Sequence, residues 1–396
     1  MLAWMDDDLN ERRRRGLYRT RRRLQSAQGV RVVLRGREYL NFSSNDYLAL
    51  ATDPRLARAA ARAARRYGSG AGASPLVSGL TPPLRRLERL LADWEGTEAA
   101  LVFSSGFAAN LAVVSALAGR GDAIFSDARN HASLIDGCRL ARARVHVYRH
   151  ADLDHLADLL RSETAARRRV IVSDSVFSMD GDFAPLVGLL DLAERFDALL
   201  VLDEAHATGV LGEHGRGLTE LLAVSGTERL IKVGTLSKAL GSQGGFVCGS
   251  RRLVAWLVNH ARPYIFSTAL APPLAAAAAR AVEIVRAEPE ARRHLHQLAE
   301  RVREGVRELG FPCDGSRCQI VPLIVGEPRA AVRLSRALEK DGLLVPAIRP
   351  PSVPEGTARL RVSLTAGHSG EDVERLLKAL QHAGLKSGEV GGRYRM

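Results

Sequence analysis

Only five of the 57 basic residues in this 396-residue chain are lysines, and one of them, Lys238, sits where an amine can do chemistry. It follows Gly234, Thr235, Leu236 and Ser237 and precedes a glycine-rich return, GSQGG, at 241–245. A partly desolvated lysine between hydroxyls can lose its proton near neutral pH and attack a carbonyl, forming a Schiff base. The plainer alternative is a lysine snorkelling from a surface loop. The remaining lysines suit the chemistry less. Lys340, Lys378 and Lys386 lie in charged segments that read as exposed helix or tail, and Lys232 lies inside the apolar run 230–233.

Two further groups complete a set. Asp203 follows the apolar run ALLVL (198–202) and is itself followed by Glu204, Ala205 and His206. An acid at the end of a buried run needs a partner, because an unpaired buried charge is costly. That partner is either a helix N-terminus or cation of the protein, or the protonated ring nitrogen of a cofactor with His206 bonding nearby. Ser104, Ser105, Gly106 and Phe107 follow the run LVF (101–103) and open a segment of helical spacing through Leu111, Val114 and Ala118. A small-residue turn opening a helix points free N–H groups at an anion, which suits a phosphate. A phosphate cradle, an acid for a pyridine nitrogen and a Schiff-base lysine together make a pyridoxal 5′-phosphate (PLP) site.

Such a site must be positioned by an α/β sheet. The runs LVF, VIV (170–172), ALLVL, LIKV (230–233) and GFVCG (245–249) alternate with helical segments, which indicates a mostly parallel sheet covered on both faces. Ligands bind such sheets beyond the strands' carboxyl ends, where the candidate residues fall. The chain divides into an Arg-rich N-terminal arm (1–46), a large domain (47–280) and a smaller C-terminal α/β domain (281–396). The arm carries extended stretches near 30–34 and 39–48. The small domain carries IVPLIV (320–325), LLVPAI (343–348) and RLRVSL (359–364), then a final helix and a tail from 386.

Composition sets limits. Hydrophobic residues at 46% and charged residues at 26% are globular values, which exclude disordered and fibrous classes. The best apolar stretch, 269–279, is broken by Pro272 and Pro273, so no membrane span is expected. The acidic start at Asp6, Asp7 and Asp8 does not read as a signal peptide. Four cysteines without metal spacing point to a reduced, cytoplasmic protein with no metal centre. The net charge of +13 comes with only 5% aromatics and no nucleic-acid motif, so no nucleic-acid partner is expected. His146, His150 and His155 have no companion acids at ligand spacing and read as surface histidines. GSGAG (68–72) lacks the preceding strand of a dinucleotide loop, and no G-x-S-x-G, G-K-[ST] or H-E-x-x-H occurs.

Longer motifs carry a resemblance. NFSSNDYL (41–48), SSGFAAN (104–110), NHAS (130–133), VFSMDGD (176–182), LDEAHATG (202–209), GTLSKALG (234–241), IFSTAL (265–270) and RLRVSLTAGH (359–368) are similar to the α-oxoamine synthases. These are fold-type-I PLP-dependent transferases with a large seven-stranded-type sheet, and the resemblance covers nearly the whole chain. It implies that Lys238, His131 and Asp203 are the catalytic set, with Lys238 bound to the cofactor, Asp203 on the pyridine nitrogen and His131 stacked on the ring. It further implies His206 and Ser178 at the ring hydroxyl, Gly106, Phe107 and Thr235 near the cofactor, and Ser267 and Thr268 reaching the phosphate of a neighbouring subunit in a homodimer. Arg361 would grip the amino-acid carboxylate, with Asn45, His131, Arg21 and Ser352 on the substrate side. Strand alternation alone leaves Arg359 and Arg361 on one face and does not choose between them. The branch resembled most closely joins L-alanine to a pimeloyl thioester in biotin synthesis, with AIRPPSVPEGTARLR (347–361) as the pointer. A glycine C-acetyltransferase is the alternative within the family. Ser352, where threonine is commoner, and the stretch GSGAGASPLVSG (68–79) depart from the pattern.

Overall fold

The computed structural model describes residues 2–224, 227–311, 313 and 315–387. The chain forms two compact units: Leu50–Phe177 with Phe183–Arg292, and Met1–Ala49 with Ser178–Asp182 and Arg293–Met396.

The first of these is built on a seven-stranded sheet. In spatial order its strands are Ala99–Phe103, Gly245–Gly249, Leu230–Thr235, Ala198–Asp203, Arg169–Asp174, Ala123–Asp127 and Arg144–Tyr148. All neighbours are parallel except Gly245–Gly249, which runs antiparallel to both of its partners. The mostly parallel sheet expected from the sequence is therefore present. Five of the strands coincide with the apolar runs, whereas Ala123–Asp127 and Arg144–Tyr148 carry no such run. The former ends in Ser126 and Asp127. The latter is an edge strand whose Val145 and Val147 face solvent, so neither forms a long apolar block.

Helix Gly106–Leu117 shows why the sequence folds as it does here. Ser105 caps it by accepting the Ala108 N–H at 3.0 Å, and Ala112, Val113 and Val114 are fully buried. They pack in one cluster with Leu101, Val201, Ile231 and Val247 of the sheet. At roughly 1.5–3 kcal/mol for each large apolar side chain removed from water, this contact fixes the helix on the strands. The register sets Asp174 opposite Asp203 at the ends of adjacent parallel strands. Two acidic side chains thus leave the sheet side by side.

The other unit holds two three-stranded sheets. Ala358–Ser363 runs antiparallel between Ile320–Gly326 and Ala347–Ile348, and Arg37–Asn41 lies between Arg31–Leu34 and Leu343–Leu344. The arm begins with helix Ala3–Arg14, which buries none of its residues. After Pro272 the chain forms the helices Pro272–Ala287 and Glu290–Glu308. From residue 388 the expected tail lies outside the described residues. Among the described residues, no helix is long and apolar enough to cross a membrane.

Candidate active site

Lys238 sits in a turn stitched by its hydroxyl neighbours. Thr235 Oγ1 donates to Gly244 O at 3.0 Å and accepts the Ser237 N–H at 3.2 Å. Ser237 Oγ donates to Gly244 O at 3.1 Å and accepts the Gly244 N–H at 3.2 Å. Gly244 adopts φ 128°, and a Cβ there would stand 2.9 Å from Leu236 Cδ1, so the return requires glycine. Lys238 itself is half-buried. Lys232, inside the strand Leu230–Thr235, is buried and ion-paired with Glu95, and it also donates to Arg216 O at 2.8 Å. The carboxylate holds its ammonium protonated against the opposing effect of burial. Removing one member of such a pair leaves a buried charge, so Glu95→Ala should destabilise the protein by about 3–5 kcal/mol, whereas Lys232→Met with Glu95→Leu should cost far less. Urea unfolding midpoints of the three proteins test this.

Asp203 is buried, and its carboxylate is met only by neutral donors. Oδ1 accepts the Ala205 N–H at 2.8 Å and Oδ2 accepts from Asn110 Nδ2 at 2.6 Å. No ion pair to Asp203 occurs among the described residues. Beside it, Asp174 accepts the His131 backbone N–H at 2.7 Å. Burial first, and then the charge of Asp203, push the Asp174 carboxyl well above the usual carboxylate range. The charge of Lys238 opposes the shift of Asp174 and adds to that of His131. The His131 ring is held below the ordinary histidine pKa by desolvation, with Asp203 and Asp136 opposing the shift and Lys238 adding to it. Phe107 lies edge-on to that ring at 6.4 Å.

Gly106 opens its helix against Thr235, where a Cβ would meet Thr235 Oγ1 at 3.2 Å. The Gly106 and Phe107 N–H groups lie at the open, positive end of the helix dipole. His206 is buried in the turn after Asp203. Lys238, Asp203, His131, Gly106, Phe107, Thr235 and His206 thus all belong to the sheet-bearing unit.

Other expected residues belong to the second unit. Arg361 is buried on Ala358–Ser363, donating through Nη2 to Asn45 Oδ1 at 3.1 Å and Tyr47 Oη at 3.3 Å. Its Nε has no hydrogen-bond partner among the described residues, and no carboxylate pairs with it there. Burial pushes the Tyr47 hydroxyl up to about 12, so it remains a neutral neighbour. Arg359, indistinguishable from Arg361 by spacing, is engaged by an ion pair to Asp180 and by Thr357 O at 2.9 Å. Ser178 begins the Ser178–Asp182 segment of this unit. Arg21 and Ser352 are exposed, Ser352 within a turn closed by its N–H to Arg349 O at 3.1 Å. Ser267 and Thr268 lie in the connection between Arg262–Ile265 and Pro272–Ala287, with Thr268 exposed.

The reading of three surface histidines needs correction. His146, His150 and His155 are all half-buried. His146 bonds Glu163 at 3.0 Å, His150 bonds Asp127 at 2.9 Å, and His155 Nδ1 accepts the Arg149 N–H at 2.9 Å. The acids are distant in sequence and arrive through strand pairing and strand-to-helix turns. Asn110, Ser133 and Asp174 were not singled out as site residues. Asn110 stands out as the one amide in the mostly apolar helix GFAANLAVVSAL.

Comparison with known proteins decides the lineage. The aminotransferase class I and II family model matches residues 37–380. The chain belongs to that family. It is 49% identical over 380 residues to 8-amino-7-oxononanoate synthase of Anaeromyxobacter dehalogenans, covering 96% of this chain and 95% of the relative. Among solved structures it is similar to a serine palmitoyltransferase of S. paucimobilis with bound PLP and myriocin, at TM-score 0.92 and 30% identity, covering 98% of each chain. It is also similar to 8-amino-7-oxononanoate synthase of Francisella tularensis, at TM-score 0.77 and 29% identity, covering 88% of this chain and 99% of that one. The α-oxoamine synthase resemblance and the fold-type-I PLP transferase fold of this family member stand confirmed.

Proposed function

We propose that this chain catalyses the condensation of L-alanine with a pimeloyl thioester, releasing carbon dioxide and the free thiol and giving 8-amino-7-oxononanoate for biotin synthesis. It is a PLP-dependent acyltransferase, as its relatives at 49% identity over nearly the whole chain are. The geometry that carries the reading is Asp203, a buried carboxylate with neutral donors on both oxygens and no ion-pair partner among the described residues. A pyridinium nitrogen supplies the missing positive charge, so the residues present fit PLP.

Bound PLP supplies an electron sink for the pair released at the substrate α-carbon. Lys238 would hold the cofactor, and its ε-amine is the group that would take the substrate α-proton. Asp203 would keep the ring nitrogen protonated, and His131 would lie against the ring. His206 and Ser178 would serve the ring hydroxyl, and Gly106, Phe107 and Thr235 would serve the phosphate end. Arg361 would take the alanine carboxylate through its unused Nε, with Asn45 and Tyr47 holding the guanidinium by Nη2. Arg21 and Ser352 contact the acyl donor.

Loss of a buried charge partner costs about 2–5 kcal/mol, so Arg361→Gln should raise the KM for alanine by about 30-fold or more. Arg359→Gln should leave that KM within a few-fold while lowering stability. Steady-state kinetics on both variants separate the two arginines.

A homodimer is part of this reading. Val77 and Phe266 are 80% and 71% exposed, and Leu76 and Leu80 are exposed beside Val77. Segments 73–79 and 266–269 run together, since the Ala269 N–H donates to Ala73 O at 2.9 Å and a Cβ on Gly79 would meet Ala269. A contiguous apolar strip next to Ser267 and Thr268 supports a second copy covering it, with those two residues reaching the partner's phosphate. Mass spectrometry tests the activity: alanine with pimeloyl-CoA should yield 8-amino-7-oxononanoate. Faster turnover of glycine with acetyl-CoA would overturn the substrate assignment.

A further inference from the structure

Asn110 is buried on its helix, and its amide nitrogen has two protons to place. One goes to Asp203 Oδ2 at 2.6 Å and the other to Ser133 Oγ at 2.9 Å. Ser133 Oγ accepts that bond, so its own proton is available for His131 Nδ1, 2.7 Å away. The Ser133 backbone N–H points at the same ring nitrogen from 3.3 Å. Two donors converge on Nδ1, which leaves no room for a proton there. The ring proton of His131 therefore sits on Nε2, which has no hydrogen-bond partner among the described residues.

We propose that Asn110 and Ser133 are positioning residues that hold His131 as its neutral Nε2–H tautomer, so that His131 serves the reaction as a hydrogen-bond donor and not as a base. The inference rests on the placement of His131 and Asp203 at the PLP site. The relay gives a single proton arrangement from the carboxylate to the ring: Asp203 accepts, Asn110 donates twice, Ser133 accepts and donates, His131 accepts. Protonating Nδ1 would break the last link. The charged groups around the ring divide, with Asp203 and Asp136 favouring a second proton and Lys238 opposing it, while Asp174 takes the His131 backbone N–H. Burial joins Lys238, and the net direction is toward the neutral ring. A neutral imidazole over the cofactor leaves the charge of the pyridine ring under the control of Asp203 alone. It also turns a free N–H toward whatever oxygen develops negative charge next to the ring.

The test is nitrogen NMR on histidine-labelled protein, with and without PLP, alongside the pH dependence of kcat/KM. In the native sequence Nδ1 should read as unprotonated and Nε2 as protonated in both states. Ser133→Ala removes one donor to Nδ1, which makes that nitrogen easier to protonate. The ring pKa should rise by about 0.5–1 unit, and the acid limb of kcat/KM should move to higher pH by the same amount. Ser133→Thr, which keeps the hydroxyl, should restore both. Asn110→Ala releases the Ser133 hydroxyl and leaves only the Ser133 N–H on Nδ1, so it should raise the ring pKa in the same direction as Ser133→Ala. An Nδ1–H ring in the native protein, or an unchanged titration in Ser133→Ala, overturns the proposal. Loss of the PLP reading is seen separately: the cofactor's absorption band would be missing while the tautomer in cofactor-free protein remained Nε2–H.

Discussion

Lys238→Ala should lower kcat by about a thousandfold or more and abolish the visible band that borohydride converts into a permanent link between PLP and the chain. The size of the effect follows from two roles lost together, the covalent tether and the amine that moves the α-proton. The stitched turn from Thr235 to Gly244 keeps its own hydrogen bonds without the lysine side chain, so the variant should fold and still take up PLP noncovalently. Peptide mapping after borohydride reduction gives the decisive control, because the label should sit on Lys238 alone in the native protein. Lys232, closed off by Glu95 and Arg216 O, should carry none. A label on another lysine, or an intact band in Lys238→Ala, would end the assignment.

Asp203→Asn should reduce kcat by about 10²–10⁴-fold, the kinetic equivalent of the roughly 3–5 kcal/mol that removal of one partner from a buried charge pair costs. The amide is isosteric and can still accept from Ala205 or Asn110, so the fold should survive. What disappears is the negative charge that keeps the ring nitrogen protonated. The loss should therefore appear in kcat and in the exchange of the alanine α-proton with solvent, with little change in the KM for the thioester. The same substitution carries two electrostatic signatures. Asp203 raises the Asp174 pKa by repulsion between carboxylates and raises that of His131 by attraction. Both should fall in Asp203→Asn, and NMR titration of the two side chains reads it directly. A variant with near-native proton exchange would show that the ring charge is set elsewhere.

These expectations rest on residues of unequal visibility in the sequence. Lys238 was legible because lysine is rare in this chain and its turn is rich in hydroxyls and glycine. Asp203 was legible because an acid ends a buried apolar run. The sheet was legible in its five central or antiparallel-edge runs, where burial on both faces forces apolar blocks. It was not legible at Ala123–Asp127 and Arg144–Tyr148, where polar ends and an exposed edge remove that signature. The histidines show the same limit from the other side. Their acids, Glu163 and Asp127, lie 17 and 23 positions away for His146 and His150, so no local spacing could reveal them.

Sequence by itself determined the candidate chemistry and its carrier: an amine, an acid and a small-residue turn after strands, a mostly parallel sheet to hold them, and motifs that fix the family. Those features depend on local composition and on periodicity, which a linear chain records. Only the tertiary structure decided which of two equivalent arginines is free, since Asp180 reaches Arg359 from 179 positions away and leaves Arg361 without an acid. Only it joined Asp203 to His131 through Asn110 and Ser133, because those hydrogen bonds cross from strand to helix to helix. Such partnerships are set by strand register and helix packing, and directional bonds of 3 Å become visible only when separate elements are brought together.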